Sequence, residues 1–328
     1  DSKILYDLNL AVSQAFDSIV TQTGVKAAGG FLPNWMLPFD LRLDFNLETD
    51  IYGGDIYDNT FVAQIAAKAL FEWYPVKLAA GVSFSPASDI QWLYPDVEFT
   101  ADLMDKVLQL YASVKGGQFV QSYTDLKLEN HWFNSSYVAK IKPTFERINA
   151  SLGLRGSAFK YMQYDVHGGW ASYSDAPMHT LTSSVYNPPV LDCGITYADY
   201  NALYADADIH WKSPRLAIDL NIGFKHTNVD LNDNYLDLPL LAGAVSAMYN
   251  WNSRIFAGIT CKGHTVQDAL TWNVPGFADL ALTGEYKFNR RFGVWANLGN
   301  LLCQKIAYSP LHVQKGIYFT GGITLDLR

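Results

Sequence analysis

Between Phe277 and Leu298 apolar or small residues recur at every second position. Ala278, Leu280, Leu282, Gly284, Tyr286 and Phe288 alternate with Asp279, Thr283, Glu285, Lys287 and Asn289. After the turn Asn289-Arg290-Arg291 the pattern resumes with Phe292, Val294, Ala296 and Leu298. A period of two means a β-strand with one apolar and one wet face. The same alternation runs through Tyr6–Phe16, Phe39–Glu48, Leu216–Lys225 and Ile317–Arg328, and it restricts the chain to an all-β fold.

Strand length narrows the choice. The alternating segments run about 10 to 14 residues, against about 5 or 6 in globular sheets and about 9 to 11 for a tilted strand crossing a bilayer. The connections alternate as well. Tight ones at Trp73-Tyr74-Pro75, Met104-Asp105, Arg155-Gly156-Ser157, Lys212-Ser213-Pro214, Asn252-Ser253 and Asn289-Arg290 lie between longer ones. The longer ones are Asp50–Thr60, Ser85–Pro95, Gly116–Pro143, Tyr173–Asp199, Thr227–Pro239, Thr265–Gly276 and Leu302–Lys315. Short turns on one rim and long loops on the other describe an outer-membrane barrel, and a Greek-key sandwich has no reason to show them.

The expected fold is a transmembrane antiparallel up-and-down β-barrel of about fourteen strands over residues 38–328, with short periplasmic turns and long extracellular loops. Residues 1–37 read as one further strand, Lys3–Asp17, and a Gly/Pro-rich connector, TQTGVKAAGGFLPNWMLP. A fifteenth strand breaks the even-number rule, so a partner strand would bring the count to about sixteen.

Composition agrees with a membrane wall, though it would also suit a lectin-like sandwich and does not decide by itself. Charged residues are only 17% of the chain, below the roughly 25% of soluble domains. No apolar run reaches the length of a transmembrane helix. The formal charge of −8 and the lack of a basic stripe argue against general nucleic-acid binding. The first residues, DSKILYDLNL, lack the features of a signal peptide, so either processing removed one or the sequence begins inside a longer chain.

The bilayer sets a stricter test, because a Lys or Arg facing lipid at the midplane costs about 2–4 kcal/mol. The apolar register of these strands carries no charge. Arg42, Asp44, Lys68, Asp206, Asp208, His210, Asp219, Lys225, Asp279, Glu285 and Lys287 all fall in the other register and are the candidate lumen-facing polar residues. Aromatics such as Trp73, Tyr74, Trp92, Trp211, Trp251 and Phe288 flank the turns, where headgroup girdles lie.

The segment EYKFNRRFGVWANLGNLLCQKIAYSPLHVQKGIYFTGGITLDLR resembles the C-terminal end of TonB-dependent-receptor-like barrels of Bacteroidetes, chiefly through Asn297-Leu298-Gly299-Asn300-Leu301-Leu302 and Gln304-Lys305. VPGFADL and PTFERINASLGLRGS fit the same style. The resemblance implies an integral protein of a Gram-negative outer membrane. Receptors of that family have about 22 strands around a plug, and the sequence shows neither feature. It also ends on Arg328 where an aromatic is usual.

Specific chemistry is sparse. Seven histidines form no H-E-x-x-H or other close ligand pair. His167 lies beside Asp165, and His210 shares a register with Asp208. No G-x-S-x-G supports a hydrolase. Asp230-Leu231-Asn232-Asp233-Asn234 offers oxygen ligands suited to calcium, without the glycine and distal glutamate of an EF-hand loop. The three cysteines have no metal-ligand spacing and read first as free thiols; the alternative is a Cys193–Cys303 disulfide, since both fall in loops on one side. No cofactor is expected. The expected partners are outer-membrane lipid, lipopolysaccharide and other outer-membrane or periplasmic proteins.

The first functional expectation is a non-enzymatic subunit of an outer-membrane complex for assembly, secretion or uptake. The alternative is a receptor-like or porin-like transporter of a polar solute, and the third is an outer-membrane hydrolase. The aromatic, polar loops Gly116–Pro143 and Tyr173–Asp199 would fold inward as a lid, bind a partner or lie disordered on the surface.

Overall fold

The protein is described from a computed structural model covering residues 5–17, 20–33, 39–54, 57–86, 91–104, 107–129, 133–138, 140–183, 191–229, 238–268, 273–289, 291–309, 312–314 and 316–325. The long strands are β1 (Leu5–Phe16), β2 (Thr21–Leu32), β3 (Asp40–Gly53), β4 (Thr60–Trp73), β5 (Val76–Phe84), β6 (Leu93–Met104) and β7 (Leu108–Val120). A short helix, α1 (Tyr123–Glu129), and β8 (Phe133–Val138) follow. Next come β9 (Pro143–Ala158), β10 (Met162–Ser183), β11 (Leu191–Lys212), β12 (Leu216–Val229), β13 (Leu241–Trp251) and β14 (Ile255–His264). The chain continues with β15 (Gln267–Asp268), β16 (Asn273–Val274), β17 (Phe277–Lys287), β18 (Phe292–Gly299), β19 (Ile306–Ser309), β20 (His312–Gln314) and β21 (Tyr318–Leu325).

Among the described residues seventeen strands share one sheet. Sixteen of them form an antiparallel meander in chain order from β1 to β21, and β8 joins at the side, parallel to β11. β15–β16 and β19–β20 are separate two-stranded ribbons in the connections on one rim. Among the described residues β1 and β21 are the two edges of the meander.

Three sequence expectations need correcting. The segment read as a connector contains β2, which pairs along its length with β1 and β3 and brings the meander to sixteen strands. Its glycines and alanines gave it too little hydropathy contrast to read as a strand. Arg155-Gly156-Ser157 is not a turn but part of β9; the turn follows at Phe159, where φ is +56°. Much of the supposed loop Tyr173–Asp199 is strand, since β10 and β11 run 22 residues each, past a bulge between Tyr173 and Ala176.

The two registers separate the faces across the whole sheet. Ile259, Leu282, Leu298 and Phe319 lie side by side on one face and are 37–69% exposed. Val166 pairs with Ala207, which pairs with Ile222, on the same face. On the other face Asp44 leads strand by strand through Ala66 and Ser83 to Tyr94. Exposed apolar side chains in water would be a liability at this scale, whereas against acyl chains they are solvated.

The polar face is concave. Gln64 of β4 donates to the Gly116 carbonyl of β7 at 3.3 Å, across two intervening strands. Near the long-loop rim, Val20, Tyr52, Val62, Tyr123, Leu126 and Ile195 pack into one cluster and bring β3 and β4 against α1 and the upper part of β11. Among the described residues no helix is long and apolar enough to cross a membrane, which says nothing about crossing on strands.

Candidate functional site

The polar face carries two different charge systems. The first runs from β1 to β7. Arg42 bonds Asp44 at 2.7 Å and reaches Asp7 at 3.2 Å. Lys68 meets Asp96 at 2.9 Å, Glu98 at 3.5 Å and Asp44 at 3.8 Å, and Lys115 meets Glu98 at 2.8 Å. Lys26 pairs with Glu48 at 2.5 Å.

Glycine makes these long reaches fit. Asp7 and Asp44 flank Gly30, and a β-carbon there would collide with the Arg42 guanidinium and both carboxylates. Lys68 and Asp96 flank Gly81 in the same way. Leaving the middle strand bare lets side chains two strands apart meet above it.

The second system runs from β7 to β12 and has a different chemistry. The Tyr111 hydroxyl donates to Asp165 at 2.5 Å. His167 stands between Asp165 at 3.4 Å and Asp206 at 3.6 Å. His210 bonds Asp219 at 2.8 Å, and the Asn221 amide donates to Asp208. No Lys or Arg lies in ion-pair contact with Asp165, Asp206, Asp208 or Asp219 among the described residues. A cavity of about 770 Å³ opens on this wall, lined by Asp102, Arg155, Asp165, Asp208 and His210 among others. Ser246 donates to Asp219 at 3.5 Å instead of to His210, so it makes no nucleophile–base contact of the hydrolytic kind.

All eleven sequence candidates share this face, but they do different things. Arg42, Asp44 and Lys68 belong to the neutralised network, and Asp206, Asp208, His210 and Asp219 to the acidic wall. Lys225 lies over the Tyr200 ring at 6.0 Å. Lys287 and Glu285 are 3.8 Å apart near the short-turn rim, with Lys287 4.7 Å from the Phe256 ring. Asp279 is sealed from solvent: it is 1% exposed and accepts from the Asn300 amide at 2.8 Å and the Tyr318 hydroxyl at 3.1 Å. Its role is to anchor the last loop.

Asn300 completes that anchor. Its side chain donates to the Gln304 carbonyl at 2.8 Å and the Gly316 carbonyl at 2.9 Å, and accepts from the Gln304 amide at 3.0 Å. Its φ of +51° suits Asn better than most residues. Asn300→Ala should therefore cost about 2–4 kcal/mol, because it strands buried backbone groups and strains the turn. Urea unfolding checks this, with Asn297→Ala on the same loop approach as the milder reference.

Of the loop Gly116–Pro143, read as a lid, a partner site or a disordered surface loop, the residues of α1 have a definite place. Ser122 and Asp125 cap one another, with the Ser122 amide donating at 3.0 Å and its hydroxyl at 2.7 Å to the Asp125 carboxylate. The helix then docks on the wall. Thr124 donates from its amide at 2.9 Å and its hydroxyl at 2.8 Å to Gln22, and Tyr123 donates to Asp17 at 2.5 Å. Leu126 is 1% exposed. In the neighbouring loop, burial pushes the Tyr57 phenol up to about 12. The Lys140 ammonium, hydrogen-bonded to Asp58, is raised above its usual value.

Asp230–Asn234 lies outside the described residues, and no group of His, Cys, Asp and Glu suited to a metal occurs among the described residues. Cys193, Cys261 and Cys303 are free thiols, and the alternative Cys193–Cys303 disulfide is not formed: Cys193 is buried on β11 and Cys303 is exposed in the last loop.

No family model and no curated protein matches the chain. Solved structures do. The siderophore receptor PirA from Acinetobacter baumannii aligns with a TM-score of 0.65 at 10% identity, over 93% of this chain and 55% of that one. The FrpB iron transporter from Neisseria meningitidis gives 0.62 at 9% identity over 93% and 55%. The copper transporter OprC gives 0.57 at 14% identity over 98% and 61%. This chain thus spans little more than half the length of the structures it matches, and at such identities the likeness is one of fold. The shared fold is one large antiparallel sheet resembling the barrels of outer-membrane receptors and transporters.

Proposed function

We propose that the chain forms the wall of an outer-membrane transporter, receptor-like in build, that handles a polar solute. The observation that carries this reading is the single polar face, continuous over sixteen antiparallel strands and backed by an apolar face. Arranged as a tube, the polar face becomes a lumen holding the ionic candidates, and the apolar face meets lipid and lipopolysaccharide. Unpaired backbone groups cannot be left in hydrocarbon, so the seam between β1 and β21 closes, directly or through further strands. The short-turn rim faces the periplasm and is where protein partners of receptor-like barrels would act.

The structural neighbours named above are receptors and transporters, which favours transport over the subunit reading placed first in the sequence analysis. They are not enzymes, and the polar face shows no Ser–His contact of the catalytic kind among the described residues.

In this reading α1 is an inward lid. The protein in planar bilayers should conduct weakly, and removal of residues 121–142 should open a steady conductance that the intact protein lacks. Gln22→Ala, which takes away the acceptor for Thr124, should give an intermediate effect. A lid-deleted protein that inserts and unfolds like the parent yet never conducts would contradict the reading.

A further inference from the structure

We propose that Lys225 and Asp206 bind a zwitterionic solute, an α-amino acid or short peptide, in the cavity they share. This rests on the transporter reading and names a substrate class for it. Tyr204 pairs with Lys225, and Asp206 with Gly223, so the two charges are diagonal neighbours on the polar face. Side chains in that relation start roughly 7 Å apart. Both line a cavity of about 460 Å³ together with Tyr173, Tyr204, Ala202 and Leu238. Gly223 keeps the space beside Asp206 clear, since a β-carbon there would stand 2.8 Å from its carboxylate.

The two charges do not pair with each other. Asp206 has His167 at 3.6 Å, and Lys225 has the Tyr200 ring at 6.0 Å. The other carboxylates whose fields reach Lys225 are Glu129 and Glu146. Glu129 is held by Gln121 at 3.3 Å and His179 at 3.6 Å, and Glu146 by Tyr173 at 3.5 Å. By contrast, Lys26, Lys68 and Lys115 each touch a carboxylate within 3 Å.

A separated cation and anion facing one cavity repel any ligand of a single sign, one or the other. A ligand with both charges satisfies both, its carboxylate on Lys225 and its ammonium on Asp206, through charge-assisted hydrogen bonds. The tyrosine rings, Ala202 and Leu238 suit an apolar side chain.

Titration calorimetry on the detergent-purified protein tests this with L-phenylalanine, N-acetyl-L-phenylalanine and L-phenylalaninamide. Phenylalanine should bind, and each analogue, lacking one charge, should bind at least about tenfold more weakly. Lys225→Met should erase the preference for phenylalanine over its amide, and Asp206→Asn the preference over the N-acetyl form. Absence of phenylalanine binding, or equal binding of all three compounds, overturns the proposal. If a variant does not fold, the analogue series on the unaltered protein decides. Binding in detergent without uptake into proteoliposomes would sink the transporter reading and leave the site standing. Uptake of polar solutes without phenylalanine binding would do the reverse.

Discussion

Leu282→Arg should destabilise the protein in a bilayer by about 2–4 kcal/mol and largely block its insertion, while Thr283→Arg should leave both nearly unchanged. Leu282 lies between Ile259 and Leu298 on the apolar face and is 47% exposed. A guanidinium there would enter the acyl chains midway along β17. Thr283 is one residue away but in the polar register, where it bonds Asn297 at 3.1 Å. An arginine there would meet Glu285 and the wet face. Folding into phosphatidylcholine vesicles, followed by urea titration and by heat-modifiable mobility on gels, measures the difference. Local strand propensity cannot explain a large effect at one position and none at the next, so the pair isolates the membrane term.

The second large effect is expected at Lys68. Its side chain is 15% exposed and serves three carboxylates, Asp44, Asp96 and Glu98. Removing it leaves Asp96, itself 13% exposed, without a cation in a poorly solvated spot. Breaking a fully buried pair costs about 3–5 kcal/mol; with some water reaching this face, Lys68→Ala should cost about 2–3 kcal/mol by the same principle. The double variant Lys68→Ala/Asp96→Ala should regain part of that loss, because the stranded charge is gone. Equal losses in the single and double variants would mean that the network contributes by packing, not by charge. Gly81→Val should also destabilise, but by a steric route, since its β-carbon would press on the Ala67 carbonyl and the Lys68 backbone of β4.

These predictions come from parts of the molecule that were unequally visible in the sequence. The strands with strong contrast, such as β3, β12 and β17, could be read because each alternates bulky apolar with charged residues. β2 could not, since TQTGVKAAGGFL carries its glycines for the benefit of its neighbours: Gly30 makes way for Arg42. The upper parts of β10 and β11 were hidden by a bulge and by Pro177, which read as a loop. Helix α1 is seven residues long, too short for periodicity to reveal, and only the Ser122–Asp125 spacing marks it.

Placement of polar residues on one face was legible, because it follows from parity alone. Partnership was not, because it depends on register. Sequence put Asp279 beside Glu285 and Lys287 as an equal, yet pairing with the last loop buries it under Asn300 and Tyr318. The contrast between the neutralised β1–β7 half and the acidic β9–β12 half likewise emerges only when strands are set side by side.

The central claim is that odd and even residues of each strand meet different solvents. It is tested most directly by single cysteines along β17, introduced after Cys193, Cys261 and Cys303 are replaced, in protein reconstituted into vesicles. Labels at 280, 282, 284 and 286 should be quenched by brominated lipid and shielded from aqueous iodide. Labels at 281, 283, 285 and 287 should show the opposite. Equal access of iodide to both sets would contradict a membrane wall and return the chain to a sheet in water.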